Sequence, residues 1–302
     1  MYQGNLQMLL LSLPRILKEW KTYDAGFFCL AIPVVFLYGI CIGSFLNVVI
    51  IRLPRGESLI KRSSHCMSCG TKIRVIDLIP VFSWLFLRGK CHSCGDPISP
   101  RYPIVESLNG LLYVACFMVF GLHWNMVLMC LFTSILIVVG FMDWDTLEMD
   151  VRVLACIGIL AIPGYFLNRE TISITDRLIG AACIALPFFL IGEISGAYIK
   201  KKTGEKIRGI ELGDTILMAF AGLYLGWKAM VPAAFIGILL AAIFGLIIKR
   251  VTGESKFAFG PYLCVGLLIG AMFGNELTDW YLSRLPQQET VSYYSSCLFP
   301  LV

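Results

Sequence analysis

Residues 66–94 read CMSCGTKIRVIDLIPVFSWLFLRGKCHSC and stand in the long polar loop of a very hydrophobic chain. Their four cysteines form two pairs, CMSC and CHSC, and two residues separate the partners of each pair. Two such pairs can bring four thiolates to one tetrahedral metal ion. The stretch therefore divides the chain into an apolar body and one small polar insert that a metal ion would stabilise.

The composition excludes a soluble domain. The chain has 302 residues, of which 58% are hydrophobic and 15% charged, whereas a soluble domain is about half apolar and a quarter charged. We therefore expect a polytopic membrane protein in contact with lipid. The net charge of +5 is modest, and the basic residues cluster in a few loops. Such clustering is typical of membrane orientation and not of nucleic-acid binding.

Uncharged runs predict an all-α fold of about eight transmembrane helices. The first run, 27–51, is long enough to cross a hydrocarbon core of ~30 Å, and several others are shorter than the ~20 residues of a straight span. We expect those helices to continue into neighbouring polar residues. The runs are 27–51, 108–122, 127–142, 153–167, 178–199 (interrupted by Glu193), 215–227, 229–248 and 257–275.

This reading divides the chain into five parts. They are an N-terminal surface segment (1–26), transmembrane helix 1 (27–51), a tetracysteine zinc insert (52–102), a transmembrane core of helices 2–8 (103–280) and a C-terminal tail (281–302).

Lysine and arginine predict the orientation. The insert 52–101 holds nine of them, loop 200–208 holds five and loop 249–256 holds three. With eight spans, all three loops fall on one side, which the positive-inside rule makes cytoplasmic. Both termini are then outside.

Zinc is the metal that we expect at the cysteines. A structural disulfide is disfavoured in the reducing cytosol, and four thiolates complete a zinc shell and stabilise an insert with little core of its own. A redox pair, as in C-x-x-C oxidoreductases, does not explain two pairs, and His65 and His92 remain alternative ligands. The four predicted ligands are Cys66, Cys69, Cys91 and Cys94.

Two aspartates are the candidate catalytic residues. Asp143 ends the third apolar run and Asp214 precedes the sixth, so both should lie at the cytoplasmic membrane edge although 71 residues apart. Ionisable groups at membrane depth are usually functional. Two facing carboxylates share a proton, and one can deprotonate a water while the other protonates a carbonyl oxygen. From their positions alone, ordinary interfacial carboxylates that end helices remain an alternative.

Further acidic residues surround the first aspartate. Asp145, Glu148 and Asp150 make this loop acidic, which is typical of a solvated loop or of a surface that attracts a basic substrate. A rival hypothesis makes the protein a transporter, in which the aspartates bind a coupling cation and the zinc insert is a docking module. The internal repeats common in such transporters are not evident.

The chain resembles the bacterial type IV prepilin peptidases, also called prepilin leader peptidase/N-methyltransferases, over about residues 40–275. The cysteine-containing stretch is the most specific of the motifs. The resemblance is carried by GSFLNVVIIRLP (43–54), CMSC (66–69), IPVFSWLFLRGKCHSCGDPISPRYPIVE (79–106), MDWDT (142–146), LGD (212–214) and FGPYL (259–263).

The resemblance implies a multi-pass aspartic endopeptidase of the bacterial inner membrane, with Asp143 and Asp214 as catalytic residues. Its substrates would be type IV prepilins or pseudopilins, whose short basic leader is removed at the cytoplasmic face. Members with the cysteine insert also methylate the new N-terminal residue with S-adenosylmethionine. Gly89, Lys90, Arg101 and Glu106 match motif positions and are candidates for that second site, with loop or helix-start roles as the alternative.

The chain departs from the family pattern near both aspartates. Glu211 stands in place of the first glycine of G-x-G-D, Ile216 in place of a lysine, and Asp150 and Val151 in place of Pro-Asp. The first two differences favour a carboxylate pair that keeps a proton. A non-catalytic assembly factor that still binds pilins is a further alternative, and the oligomeric state stays open.

Overall fold

The computed structural model describes residues 24–61, 63–203, 209–253 and 257–285, and these residues contain helices but no β-strand. The predicted all-α fold is confirmed. The long helices are α1 (Ala25–Arg52), α2 (Arg101–Phe120), α3 (Trp124–Thr146), α4 (Val151–Leu167), α5 (Ile174–Thr203), α6 (Leu212–Leu225), α7 (Trp227–Thr252) and α8 (Gly260–Leu282).

The eight helices follow the eight predicted runs in order. Five of them, α1, α2, α3, α5 and α7, are long and apolar enough to cross a membrane. Helices α4 and α6 are apolar but shorter, with 17 and 14 residues. The chain is thus a multi-pass helical membrane protein, in which five helices of the described part, and not all eight, meet this criterion of length and composition.

Helix α3 lies at the centre of the bundle and packs against α1, α2, α4 and α8. It is the most buried of the five candidate spans. Its side chains Phe132, Leu136 and Met142 are almost fully buried, together with Leu217 of α6 and Leu267 of α8. Around this centre, helices that follow each other in the chain pack as the pairs α1–α2, α5–α6 and α7–α8.

The insert, which contains the short helix Phe82–Phe86, lies at one end of the bundle. The same end holds the 147–150 loop and the starts of α6 and α8, because Arg101 pairs with Asp145 and the Gly260 amide bonds Asp143. The turns at 121–123, 168–173 and 226 lie at the opposite end, where Asn125 bonds Asn168. The insert and the C-terminal ends of α5 and α7 therefore share one end.

Parts of the predicted organisation lie outside the described residues. These parts are most of the N-terminal surface segment 1–26, most of the tail 281–302, and Arg62, Lys206, Arg208 and Lys256 of the basic loops. The five-part division and the orientation of the bundle stay predictions.

Candidate active site and metal centre

Asp143 lies in the last turn of α3 and is only 5% exposed. Its Oδ2 accepts a 2.8 Å hydrogen bond from the backbone N–H of Gly260, the first residue of α8. A Cβ at Gly260 would lie 2.8 Å from that same oxygen, so only glycine fits there without displacing the carboxylate. The free amides of a helix N-terminus favour a negative charge. One carboxylate oxygen of Asp143 is thereby fixed.

Asp214 lies in the first turn of α6 and is 3% exposed. Its Oδ2 accepts a 3.3 Å hydrogen bond from the backbone N–H of Glu211, as part of a capping box. Its other oxygen, Oδ1, is buried and has no hydrogen-bond partner among the described residues. A buried oxygen without a partner is costly, and such atoms are often found where a catalytic group acts.

The structure brings the two predicted aspartates together. Their carboxylates are close enough to interact electrostatically, and both lie near the buried Cys264 of α8. Met149 lies between α6, which carries Asp214, and the start of α8, whose Gly260 bonds Asp143, since side chains added at Gly213 or Gly260 would meet it. This contact of Met149 could not be predicted from the sequence, because it depends on tertiary packing.

The acidic loop is partly neutralised within the chain. Arg101 donates two hydrogen bonds to Asp145, one of them 2.8 Å long. Asp150 accepts hydrogen bonds from the backbone and the guanidinium of Arg152, and this guanidinium lowers the pKa of the Asp150 carboxyl. Glu148 is exposed.

The four predicted zinc ligands form a cluster. Their Sγ atoms all lie within 4.8 Å of one another, and those of Cys66 and Cys94 are 3.8 Å apart. A tetrahedral zinc ion with Zn–S bonds of about 2.3 Å separates its sulfurs by about 3.8 Å, so the donors fit zinc. Among the described residues only cysteines belong to this cluster, and the alternative ligands His65 and His92 do not join it.

Two matching turns place the cysteines. In the first, the Gly70 amide donates to the carbonyl of Cys66 at 2.9 Å, and in the second the Gly95 amide donates to Cys91 at 2.9 Å. Both glycines are left-handed, with φ of +70° and +75°, a conformation that other residues adopt at a cost. Local sequence thus builds each half of the cluster.

The surroundings of the thiols also suit a cation. Backbone N–H groups of Cys69 and Ser68 lower the pKa of Cys66 to about 6. At Cys94 the Asp96 N–H favours the thiolate, but desolvation and the neighbouring sulfurs outweigh it and raise the pKa to about 12. A divalent cation would offset the repulsion between neighbouring thiolates, because zinc binds the deprotonated form of each thiol.

Two family descriptions match the chain. "Bacterial Peptidase A24 N-terminal domain" matches residues 37–120, and "Type IV leader peptidase family" matches residues 130–246. A relative from Aeromonas hydrophila, named "Prepilin leader peptidase/N-methyltransferase", is 34% identical over 83% of this chain and 93% of its own length. The chain belongs to the prepilin leader peptidase/N-methyltransferase family.

Other relatives agree with this assignment. Proteins of the same name from Myxococcus xanthus and Pseudomonas aeruginosa are 35% and 32% identical, over 73% and 82% of this chain. The match spans 64% of the first and 91% of the second. No solved structure matches the chain.

The departures from the prepilin peptidase pattern have local structural roles. Glu211 closes the capping box at the start of α6, and Ile216 packs against the hydrophobic core. Asp150 is the N-cap of α4, and Val151 is the first helical residue. Each of these residues thus has a place in the local structure beside the two aspartates.

Of the four candidate methyl-transfer residues, only Glu106 lies at a cavity. Gly89 packs against the ring of Trp84. Lys90 forms an isolated β-bridge with Pro97. Arg101 forms an ion pair with Asp145. Glu106 alone lines a cavity of about 480 Å³ between the insert and the membrane helices. It is 7% exposed and accepts a 2.7 Å hydrogen bond from the Val81 N–H. This cavity could not be predicted from the sequence, because its walls come from three separate segments.

Proposed function

We propose that this protein is an aspartic endopeptidase that removes the basic leader of type IV prepilins or pseudopilins, and that it then methylates the new N-terminal amine with S-adenosylmethionine. The observation that carries the cleavage is the buried pair Asp143 and Asp214, which belong to different helices and lie at one end of the bundle. The names of the relatives support both activities.

Asp143 and Asp214 act on one water molecule in this proposal. Two neighbouring carboxylates resist double ionisation, so the pair retains one proton. The ionised carboxylate takes a proton from the attacking water, and the protonated one gives its proton to the scissile carbonyl oxygen. The Gly260 amide holds Asp143, and Oδ1 of Asp214 is available for the water or the substrate.

In this proposal the end of the bundle that holds the insert faces the cytoplasm, because the lysines and arginines cluster there and the positive-inside rule makes that side cytoplasmic. The insert and the aspartate pair then lie on that side of the bacterial inner membrane. A prepilin would present its leader there, while its apolar segment stays in the lipid. Exposed Glu148 is available to attract the basic leader, since Asp145 and Asp150 already have partners within the chain.

Zinc has a structural role in this proposal. The four cysteines would fill its tetrahedral shell and leave no position for water or substrate. When bound, the ion would hold the two turns of the insert together. The insert carries one wall of the 480 Å³ cavity, so a bound ion would also hold this wall in place.

The cleavage test uses purified protein in liposomes with a prepilin. We expect Asp143→Asn and Asp214→Asn each to reduce leader cleavage by about 10²–10⁴-fold, the usual contribution of general acid–base groups. Asp279→Asn is the matched control, because Asp279 is exposed and pairs with Lys228 at the opposite end of the bundle. Cleavage that persists in either aspartate variant would rule out the pair. Prepilin that binds wild-type protein uncleaved would indicate the assembly factor, and ion flux without binding would indicate the transporter.

A further inference from the structure

The cavity beside Glu106 has the dimensions of a small-molecule site. Its volume of about 480 Å³ falls within the roughly 300–1,000 Å³ of ligand pockets. Helix α1 contributes Asn47, helix α2 contributes Tyr102 and Glu106, and the insert contributes Asp77 and Trp84. The cavity thus lies where the insert meets the membrane body.

Polar contacts fix the walls of this cavity. The Glu106 carboxylate accepts from the Val81 N–H at 2.7 Å, and the Asn47 amide donates to the Tyr102 carbonyl at 3.1 Å. Glu106 and Asn47 are 7% and 4% exposed, so both are buried polar groups. Trp84 donates its indole N–H to the Ile98 carbonyl at 3.0 Å. Walls held in this way are formed before any ligand binds.

The charge of the lining selects a ligand that carries both signs. Its four carboxylates are matched by an equal number of lysines and arginines. Asp77 already accepts two hydrogen bonds from Arg74, at 2.8 and 3.0 Å. A polyphosphate would meet the other carboxylates unfavourably, whereas a zwitterion with an added positive charge suits a lining of both signs. Trp84 and Tyr102 offer aromatic faces for a flat base or a cation. The four acidic residues are Glu57, Asp77, Asp96 and Glu106.

We propose that this cavity is the binding site for S-adenosylmethionine, with Glu106 as its buried anionic contact. The proposal rests on the methyltransferase activity proposed above and adds the place where the donor binds. S-adenosylmethionine carries a sulfonium, an ammonium, a carboxylate, ribose hydroxyls and a flat adenine, which match this lining. Binding of the sulfonium beside a carboxylate and an aromatic ring is favourable.

The cavity is close to the place where the substrate amine would be produced. Arg101 begins α2, the helix that carries Glu106, and it pairs with Asp145, two residues after Asp143. In methyl transfer the amine nitrogen would bond the methyl carbon, and the carbon–sulfur bond would break with its electron pair left on sulfur. S-adenosylhomocysteine would leave as a neutral thioether, and the amine would lose a proton to water.

The test measures binding and not turnover. Purified zinc-loaded protein in nanodiscs is titrated with S-adenosylhomocysteine by calorimetry, and prepilin cleavage is measured on the same wild-type preparation. We expect Glu106→Gln and Asp77→Asn each to weaken binding at least tenfold. Glu170→Gln, an exposed carboxylate at the opposite end, should bind like wild type. Only variants that keep one zinc per chain are compared, since Glu106 also holds the insert.

A second measurement avoids substitutions. A photoreactive 8-azido analogue of S-adenosylmethionine should label wild-type peptides that contain Trp84 or Tyr102, and excess S-adenosylhomocysteine should abolish the label. Labels confined to other peptides, or wild-type affinity in both acidic variants, would overturn the proposal. Wild-type protein that cleaves prepilin but does not bind S-adenosylhomocysteine would refute the donor site and leave the peptidase intact. Absence of both activities would refute the proposed function itself.

Discussion

The backbone amide of Gly260 holds the carboxylate of Asp143 at 2.8 Å, across 117 residues of chain. The bond joins the last turn of α3 to the first residue of α8. A Cβ at position 260 would contact this carboxylate and also Met149. The position of Asp143 therefore depends on a residue without a side chain in another helix.

Replacing Gly260 should impair the aspartate pair. We expect Gly260→Ala to reduce prepilin cleavage by about 10²-fold, because small displacements of catalytic groups have effects of this size. Gly140→Ala is the matched control in α3, since its Cβ would lie 3.6 Å from the nearest heavy atom, an ordinary contact. The measurement compares the initial rates of prepilin cleavage by both variants and by wild type. Equal rates for Gly260→Ala and wild type would show that this contact is not required.

Removing a single thiolate should release zinc. We expect Cys66→Ser and Cys91→Ser to lose the metal and to expose the insert to protease, because the ion stabilises the fold of the insert. Cys156→Ser should keep zinc, since Cys156 is an exposed residue of α4 outside the cluster. Elemental analysis and limited proteolysis measure both effects. One zinc per chain in both insert variants would contradict the four-thiolate site.

Asp150 should stabilise the start of α4 in a pH-dependent way. Arg152 lowers the pKa of this carboxyl, so the contribution is present at neutral pH and is lost as the pH falls below the ordinary carboxyl range. We expect Asp150→Ala to cost about 1 kcal/mol at pH 7, the usual effect of losing an N-cap. Unfolding in detergent, followed by tryptophan fluorescence at pH 7 and pH 3, measures this difference. A deficit of equal size at both pH values would exclude a role for the charge.

A buried guanidinium should stabilise the end of the bundle opposite the insert. Arg177 is 4% exposed and donates to the carbonyls of Gly164, Leu223 and Tyr224 at 2.8–2.9 Å. Arg177→Met leaves these buried carbonyls without that donor, and each such loss costs about 1–3 kcal/mol. We expect a lower melting temperature than for Arg169→Met, which changes an exposed arginine. Equal melting temperatures would contradict this role.

Long uncharged runs predicted the fold well, and buried polar residues obscured its boundaries. The predicted 27–51 agrees with α1, Ala25–Arg52. The run 108–122 begins late because α2 extends back to Arg101 through Glu106, whose buried carboxylate interrupts the apolar pattern. The run 215–227 was wrong at its end, since Gly226, with φ of +77°, separates α6 from Trp227.

The zinc cluster could be predicted because its geometry is local. Each pair of cysteines is placed by one turn, and the repeated spacing is visible in the sequence. Asp143 and Asp214 could be predicted from their positions at apolar edges. Their contacts with Gly260 and Met149 could not, because tertiary packing brings these residues together from other segments. For the same reason, the sequence could not show that Glu106 lines the cavity and that the other three methyl-transfer candidates do not.

The contact of Asp143 with Gly260 has a consequence for how the protein is made. Synthesis and folding proceed from the N-terminus, so α3 is made before α8. Until Gly260 arrives, the carboxylate of Asp143 lacks the amide that positions it. A nascent chain is therefore incomplete at its aspartate pair throughout most of its insertion, and the pair is assembled only when α8 docks.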